Sequence, residues 1–217
     1  MIKLNKCAFT LSEVLITLGI IGVVAAVTLP TLIANYQKQS TVNKIKKFYT
    51  NINQVLQMAI IDNGEYNTWS YENSEDFYKK YIEPYIKNVD KTSFIYMHGD
   101  FTSGIKFIFS DGTQAIFSKT SNFVGSPVFI FYTNTHKHSD LSSKYLKNPT
   151  RERFYFKLNA SGVIEPPNLL NTRERNLQSC KSQWRDRLTD EQTNNGNIDC
   201  STVIYKDGWK IAPDYPW

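Results

Sequence analysis

The chain has 217 residues, of which 41 % are apolar and 14 % aromatic, and a formal net charge of +5. That length allows one good-sized domain, alone or with an appendage, and excludes several large domains. Lys3 and Lys6 precede the first apolar run; without them the excess falls to about +3, too little to demand a nucleic-acid partner.

From Cys7 to Gln37 the only charged side chain is Glu13, whereas charges occur throughout from Lys38 onward. As a helix, the apolar run Ala8–Ala34 would measure roughly 40 Å against a hydrocarbon core of about 30 Å, long enough to span. No second run of that length follows, so the composition describes one membrane pass and one large polar part. Helical periodicity continues beyond the run. Val42, Ile45, Tyr49, Ile52, Leu56 and Ala59 form an apolar stripe, with Lys38, Lys44, Lys46 and Lys47 off it. Asp62-Asn63-Gly64 supplies a stop signal. The reading is one nearly continuous helix from about residue 9 to 62, roughly 80 Å long. Its second half is a core helix of the attached domain, because the stripe is too short for a coiled coil. Pro30 lacks the N–H that would bond the carbonyl of Ala26, so a kink or a locally melted turn is expected there, in a stretch softened by Gly19 and Gly22.

Residues 65–91 mix aromatic and charged side chains and read as a short helix ending at Pro84, followed by a loop. The period then changes. "IKFIFSDGTQAIFSK" places two strand-like runs on either side of Asp111-Gly112, a strong hairpin signal. "VFIFYTNT" at 128–135 and "RFYFKLNASGVIEP" at 153–166, the latter around Ser161-Gly162, add further strands. The expected fold class is α+β: a long N-terminal helix, membrane-spanning in its first half, packed against an antiparallel sheet of about four strands.

Catalytic signatures are missing. The sequence has no nucleotide-binding glycine loop, HExxH, GxSxG or CxxC, so neither enzyme activity nor a cofactor is expected. Of the three histidines, His98, His136 and His138, the last two flank one lysine and would bind a metal only weakly if they shared a strand face; they read as a polar loop, and 194–199 reads as turn rather than calcium loop. The basic stretch 173–187, with Arg173, Arg175, Lys181, Arg185, Arg187 and Trp184, is of the kind that binds single-stranded nucleic acid. Glu174 and Asp186 interrupt it, and a solvated helix face explains it better. Cys7 lies just before the apolar run, while Cys180 and Cys200 lie late in the polar part. A Cys180–Cys200 bridge would stabilise by roughly 3 kcal/mol in the chain-entropy model and requires an oxidising compartment.

Glu13 is the informative anomaly. A secretory signal peptide cleaved after Val24-Ala25-Ala26 explains neither this carboxylate nor the apolar residues beyond the site. For an ordinary anchor it costs up to about 2.5–3.5 kcal/mol at the bilayer centre. "KCA" followed by "FTLSEVLITLGIIGVVAAVTLPTL" resembles the class III signal sequence of type IV pilins and type II secretion pseudopilins. The resemblance implies that prepilin peptidase cuts between Ala8 and Phe9 and methylates the new amine of Phe9. Ala8 stands where the family usually has glycine, and Pro30 falls where many pilins carry a helix-breaking proline. The tail "CSTVIYKDGWKIAPDYPW" is similar to the C-termini of pseudopilin-like type II secretion components.

On this resemblance, residues 1–8 are a cytoplasmic leader and 9–34 the transmembrane and filament-core half of the helix. Residues 35–63 are its amphipathic half, and 64–217 a β-rich periplasmic head. Glu13 would pair with the terminal amine of a neighbouring subunit's Phe9 and set the axial register of a filament. The implied partners are other pilin-like subunits, as homo- or hetero-oligomer, together with prepilin peptidase, an inner-membrane assembly platform and membrane lipid; nucleic acid is not among them. The lysines after the span taken alone favour a cytoplasmic head; the leader motif and the cysteine pair place it on the opposite side. Two alternatives differ in class: a DNA-binding subunit of an uptake pilus using 173–187, and a plain membrane-tethered periplasmic domain with Met1 intact.

Overall fold

The computed structural model describes residues 10–95, 104–119, 127–135, 149–185 and 198–217. The chain divides into two compact units, residues 1–40 and 41–217, and helix α1, Leu11–Asn63, contributes to both.

In the first unit, α1 is uninterrupted helix through Pro30, so the locally melted turn expected there does not form. Its large apolar side chains from Leu11 to Ile33 are exposed. Thr17 donates its hydroxyl to the carbonyls of Glu13 and Val14, and Thr28 donates to that of Val24, so each hydroxyl is satisfied within the helix.

In the second unit, α1 buries Val42, Ile45, Phe48, Ile52, Val55, Leu56 and Ala59. The predicted stripe is therefore right in period but narrower than the real face. Phe48 and Val55 belong to the core, and Tyr49 is only half-buried. After a single 3-10 turn at Tyr66–Thr68, α2 (Ser74–Phe77) runs into a π-turn over Tyr78–Ile82. Asn73 caps α2 by accepting from the Asp76 N–H at 2.9 Å.

Six strands follow: β1 (Val89–Ile95), β2 (Gly104–Phe109), β3 (Gln114–Ser118), β4 (Val128–Tyr132), β5 (Arg153–Leu158) and β6 (Ile164–Glu165). They pair in sequence order, all antiparallel. The sheet is two strands wider than the four expected. β1 replaces part of what reads as loop, and β6 is only a two-residue edge.

Both predicted hairpin turns form. Gly112 has φ +77°, and Asp111 Oδ1 accepts from the N–H and hydroxyl of Thr113. Gly162 has φ +72°, and a Cβ there would lie 2.8 Å from Ile60 Cδ1, so both backbone and packing require glycine.

Alternation puts Phe107, Phe109, Phe117, Phe129, Phe131, Phe154 and Phe156 into one cluster with the buried residues of α1. Phe48 is at its centre, stacked on Phe131 at 4.5 Å and tilted against Phe156 at 5.7 Å. Asn53 ties α1 to the short edge strand: its Oδ1 accepts from the Ile164 N–H at 2.8 Å. The other face of the sheet is also buried, through Ile95, Ile116, Val128, Ile130, Tyr132, Tyr155 and Ile198. β3 and β4 are accordingly buried along their full length.

Two helices complete the described fold after α3 (Pro149–Glu152): α4 (Arg173–Arg185) and α5 (Cys200–Lys206). A Cys180–Cys200 disulfide joins them, with Cα atoms 5.0 Å apart. Ser201 anchors α5 to the sheet by donating its hydroxyl to the Tyr155 carbonyl at 2.7 Å.

Candidate functional site

The candidate site is the N-terminal part of α1. Its first turn is closed by a reciprocal capping box built from Thr10 and Glu13. The Glu13 N–H donates to Thr10 Oγ1 at 3.2 Å, and Glu13 Oε2 accepts from the Thr10 N–H at 2.8 Å and from its hydroxyl at 2.9 Å. This arrangement satisfies donors that a helix N-terminus otherwise leaves open. The carboxylate that is anomalous for a lipid segment thus has partners within its own chain. Thr10-Leu11-Ser12-Glu13 carries the T-x-x-E spacing of such a box, so the signal is present in the sequence.

Beyond that turn the helix presents an apolar surface that none of the described residues covers. Leu15 is 61 % exposed and Ile20 60 %, whereas Ile45 and Ile52 on the same helix are fully buried. The helix is long and apolar enough to cross a membrane, and none of its most apolar window is buried within the chain. Gly19 and Gly22 have no neighbouring atom within 4 Å of where a Cβ would stand.

The remaining predicted residues are distributed as follows. Ala8 and Phe9 lie outside the described residues, as do His98, His136, His138 and Arg187. Pro30 is in mid-helix, and Cys180 and Cys200 are bonded to each other in the second unit. Among the described residues no group of three or more His, Cys, Asp or Glu could hold a metal ion.

The stretch 173–185 is helical, as expected. Its first arginine is committed within the fold: Arg173 donates through Nη2 to Asp207 at 2.8 Å and to Asp214 at 2.9 Å, through Nη1 to Asp214, and through Nε to Asp207. Those bonds raise the Arg173 pKa further, and Arg173 in turn holds the Asp214 carboxyl below its usual range. A guanidinium bound by two carboxylates is not free to take a phosphate. Only a folded chain brings Arg173 to Asp207 and Asp214, so sequence spacing carries no sign of the network.

Residues 31–217 match the model of a family of unknown function, DUF6613. The chain belongs to that family. In this DUF6613 member, residues 3–29 also match the prokaryotic N-terminal methylation motif, so the two matches meet on either side of Pro30. The motif is characteristic of the class III signal peptides of type IV pilins and pseudopilins. With a long helix leading into an antiparallel sheet, it makes this DUF6613 chain a pilin-like α+β protein, anchored by its N-terminal helix and carrying a C-terminal soluble head. Neither a curated protein nor a solved structure matches the chain significantly.

Proposed function

We propose that this protein is a non-enzymatic structural subunit of a type IV pilus or type II secretion pseudopilus. Prepilin peptidase cleaves it between Ala8 and Phe9 and methylates Phe9. The first half of α1 then holds it in the inner membrane with its head in the periplasm, until it is extracted into a helical filament. The observation that carries this reading is the methylation motif at 3–29 followed directly by a helix whose apolar surface is uncovered. Such a surface must be covered by lipid before assembly and by other subunits after it.

In the filament Glu13 meets the terminal amine of a neighbour's Phe9 and fixes the register between subunits. Buried pairs of this kind contribute specificity more than stability, and removing one partner strands the other. The capping box gives Glu13 a second duty, and two substitutions separate them. Glutamine at this position still completes the box but carries no charge. Glu13→Gln is therefore expected to be membrane-bound, cleaved and absent from filaments, as is Glu13→Ala. Filament recovery by shearing, with immunoblotting of membrane and sheared fractions, checks this. Normal incorporation of Glu13→Gln, with Glu13→Ala defective, would reduce Glu13 to a helix cap.

A further inference from the structure

A cavity of about 60 Å³ opens in the second unit where α1 passes the β2–β3 turn and the residues leading into β1. Phe48, Phe109 and Phe131 floor it, and Lys44, Lys47 and Lys87 stand around it together with Asp111. Lys47 pairs with Asp111 at 2.8 Å. Lys44 donates to the neutral carbonyl of Thr133 at 2.9 Å, which leaves its charge uncompensated. Lys87 is exposed and has no carboxylate partner among the described residues. The cavity is therefore apolar at its base and cationic at its mouth. Its volume has room for one carboxylate side chain.

The sequence supplies a matching surface. Between Glu13 and Asp62 there are four lysines and no carboxylate; from Asp62 to Asp76 there are five carboxylates and no lysine or arginine. Glu75 and Asp76 are paired with Lys79 and Lys80 of their own chain at 2.7 and 3.1 Å, whereas Glu65 and Glu72 are exposed and no cation among the described residues pairs with either carboxylate. Within one molecule these sets do not neutralise each other. Lys46 and Asp62 both lie on α1, about 24 Å apart along its axis at 1.5 Å per residue, against a screening length of about 8 Å. A second copy displaced along the helix axis by that distance brings acidic against basic.

We propose that this cavity is the docking site for a second copy of the chain, which inserts one of the two unpaired carboxylates of its acidic segment, Glu65 or Glu72. The proposal rests on the filament reading and adds to it a contact between heads, distinct from the Glu13 contact between helices. The charges steer and fix the register of the contact, and the phenyl floor takes the methylenes of the incoming side chain.

The test is a charge swap in the full-length protein, with filament yield measured by shearing. Lys87→Glu, and separately Glu65→Lys with Glu72→Lys, are each expected to lower yield about tenfold, because like charges then face each other. All three side chains are exposed, so thermal melting of the head should not move. Combining the three substitutions in one chain is expected to restore yield to within about twofold. Variants that assemble like the wild type, or a combined variant that is not rescued, would overturn the docking site and leave the filament reading intact. Unchanged filaments with weakened binding of Lys87→Glu to phosphatidylglycerol vesicles would assign the cavity to lipid headgroups, again against the proposal. A wild-type chain that begins at Phe9 but forms no filament would refute the filament reading, and this contact with it.

Discussion

Between Leu11 and Ile33, α1 turns its large apolar side chains outward; between Val42 and Ala59 the same helix hides seven residues in the core of the head. The first stretch is apolar almost throughout and the second along one stripe, and they differ in what the chain itself provides to cover them. The second stretch has its core inside the molecule, built from the phenylalanines of the sheet. The first has none among the described residues, and its chemistry is that of a surface completed by something other than this chain. Burial, more than hydrophobicity, separates the half of the helix that belongs to the core of the head from the half whose apolar side chains stay exposed.

Two truncations on one helix would test this difference most severely. Phe48→Ala removes a ring that contacts Phe109, Phe129, Phe131 and Phe156 and should cost the head about 3–5 kcal/mol. Leu15→Ala removes an exposed side chain and should leave head stability within about 0.5 kcal/mol. Thermal melts of the full chain in detergent, followed by near-ultraviolet circular dichroism, would show it. Equal losses would mean that the two halves of α1 are not energetically distinct.

The next effect is confined to the head. Replacing Cys180 and Cys200 together by serine opens a link across 20 residues, and a loss of roughly 3 kcal/mol is expected in the same melts. Reductant should lower the wild-type midpoint in the same direction and leave the double variant unchanged.

The smallest effect is electrostatic. Arg173 depresses the Asp214 carboxyl, and a depressed carboxyl contributes stability above its unfolded pKa and loses it as pH falls through the folded value. Head stability should therefore decline below about pH 4, the ordinary aspartate range. Asp214→Asn should flatten that decline while lowering the midpoint at neutral pH. Asp111 adds to the same trend: its burial alone would raise its pKa, but the bonds from Lys47 and Thr113 prevail and lower it. A variant that declines as steeply as the wild type would show that Asp214 is not part of the acid response.

Much of this architecture is legible in the sequence because its signals are local. Helical period and a glycine stop bound α1 to within about two residues at either end, and Asp111-Gly112 and Ser161-Gly162 mark their turns through a backbone conformation that glycine adopts freely. β1 is harder to read. "VDKTSFI" is an edge strand, exposed along most of its length, and shows no clean alternation. The helix face is misjudged at Phe48 for a related reason: a stripe drawn through Tyr49 fits the period equally well, and only the sheet decides which ring is enclosed. At the candidate site, the capping box is readable from Thr10 and Glu13 alone. The cationic cavity is not, because it brings together residues from Lys44 to Phe131.

The central claim is that the chain is processed and then assembled through its uncovered N-terminal helix, and the mass of the N-terminal peptide of the native membrane-extracted protein tests its first step directly. A peptide beginning at Phe9 with one added methyl group is the expected result. A peptide beginning at Val27, which would remove Glu13 altogether, or an intact Met1, which would leave Glu13 without the Phe9 amine, would contradict the account.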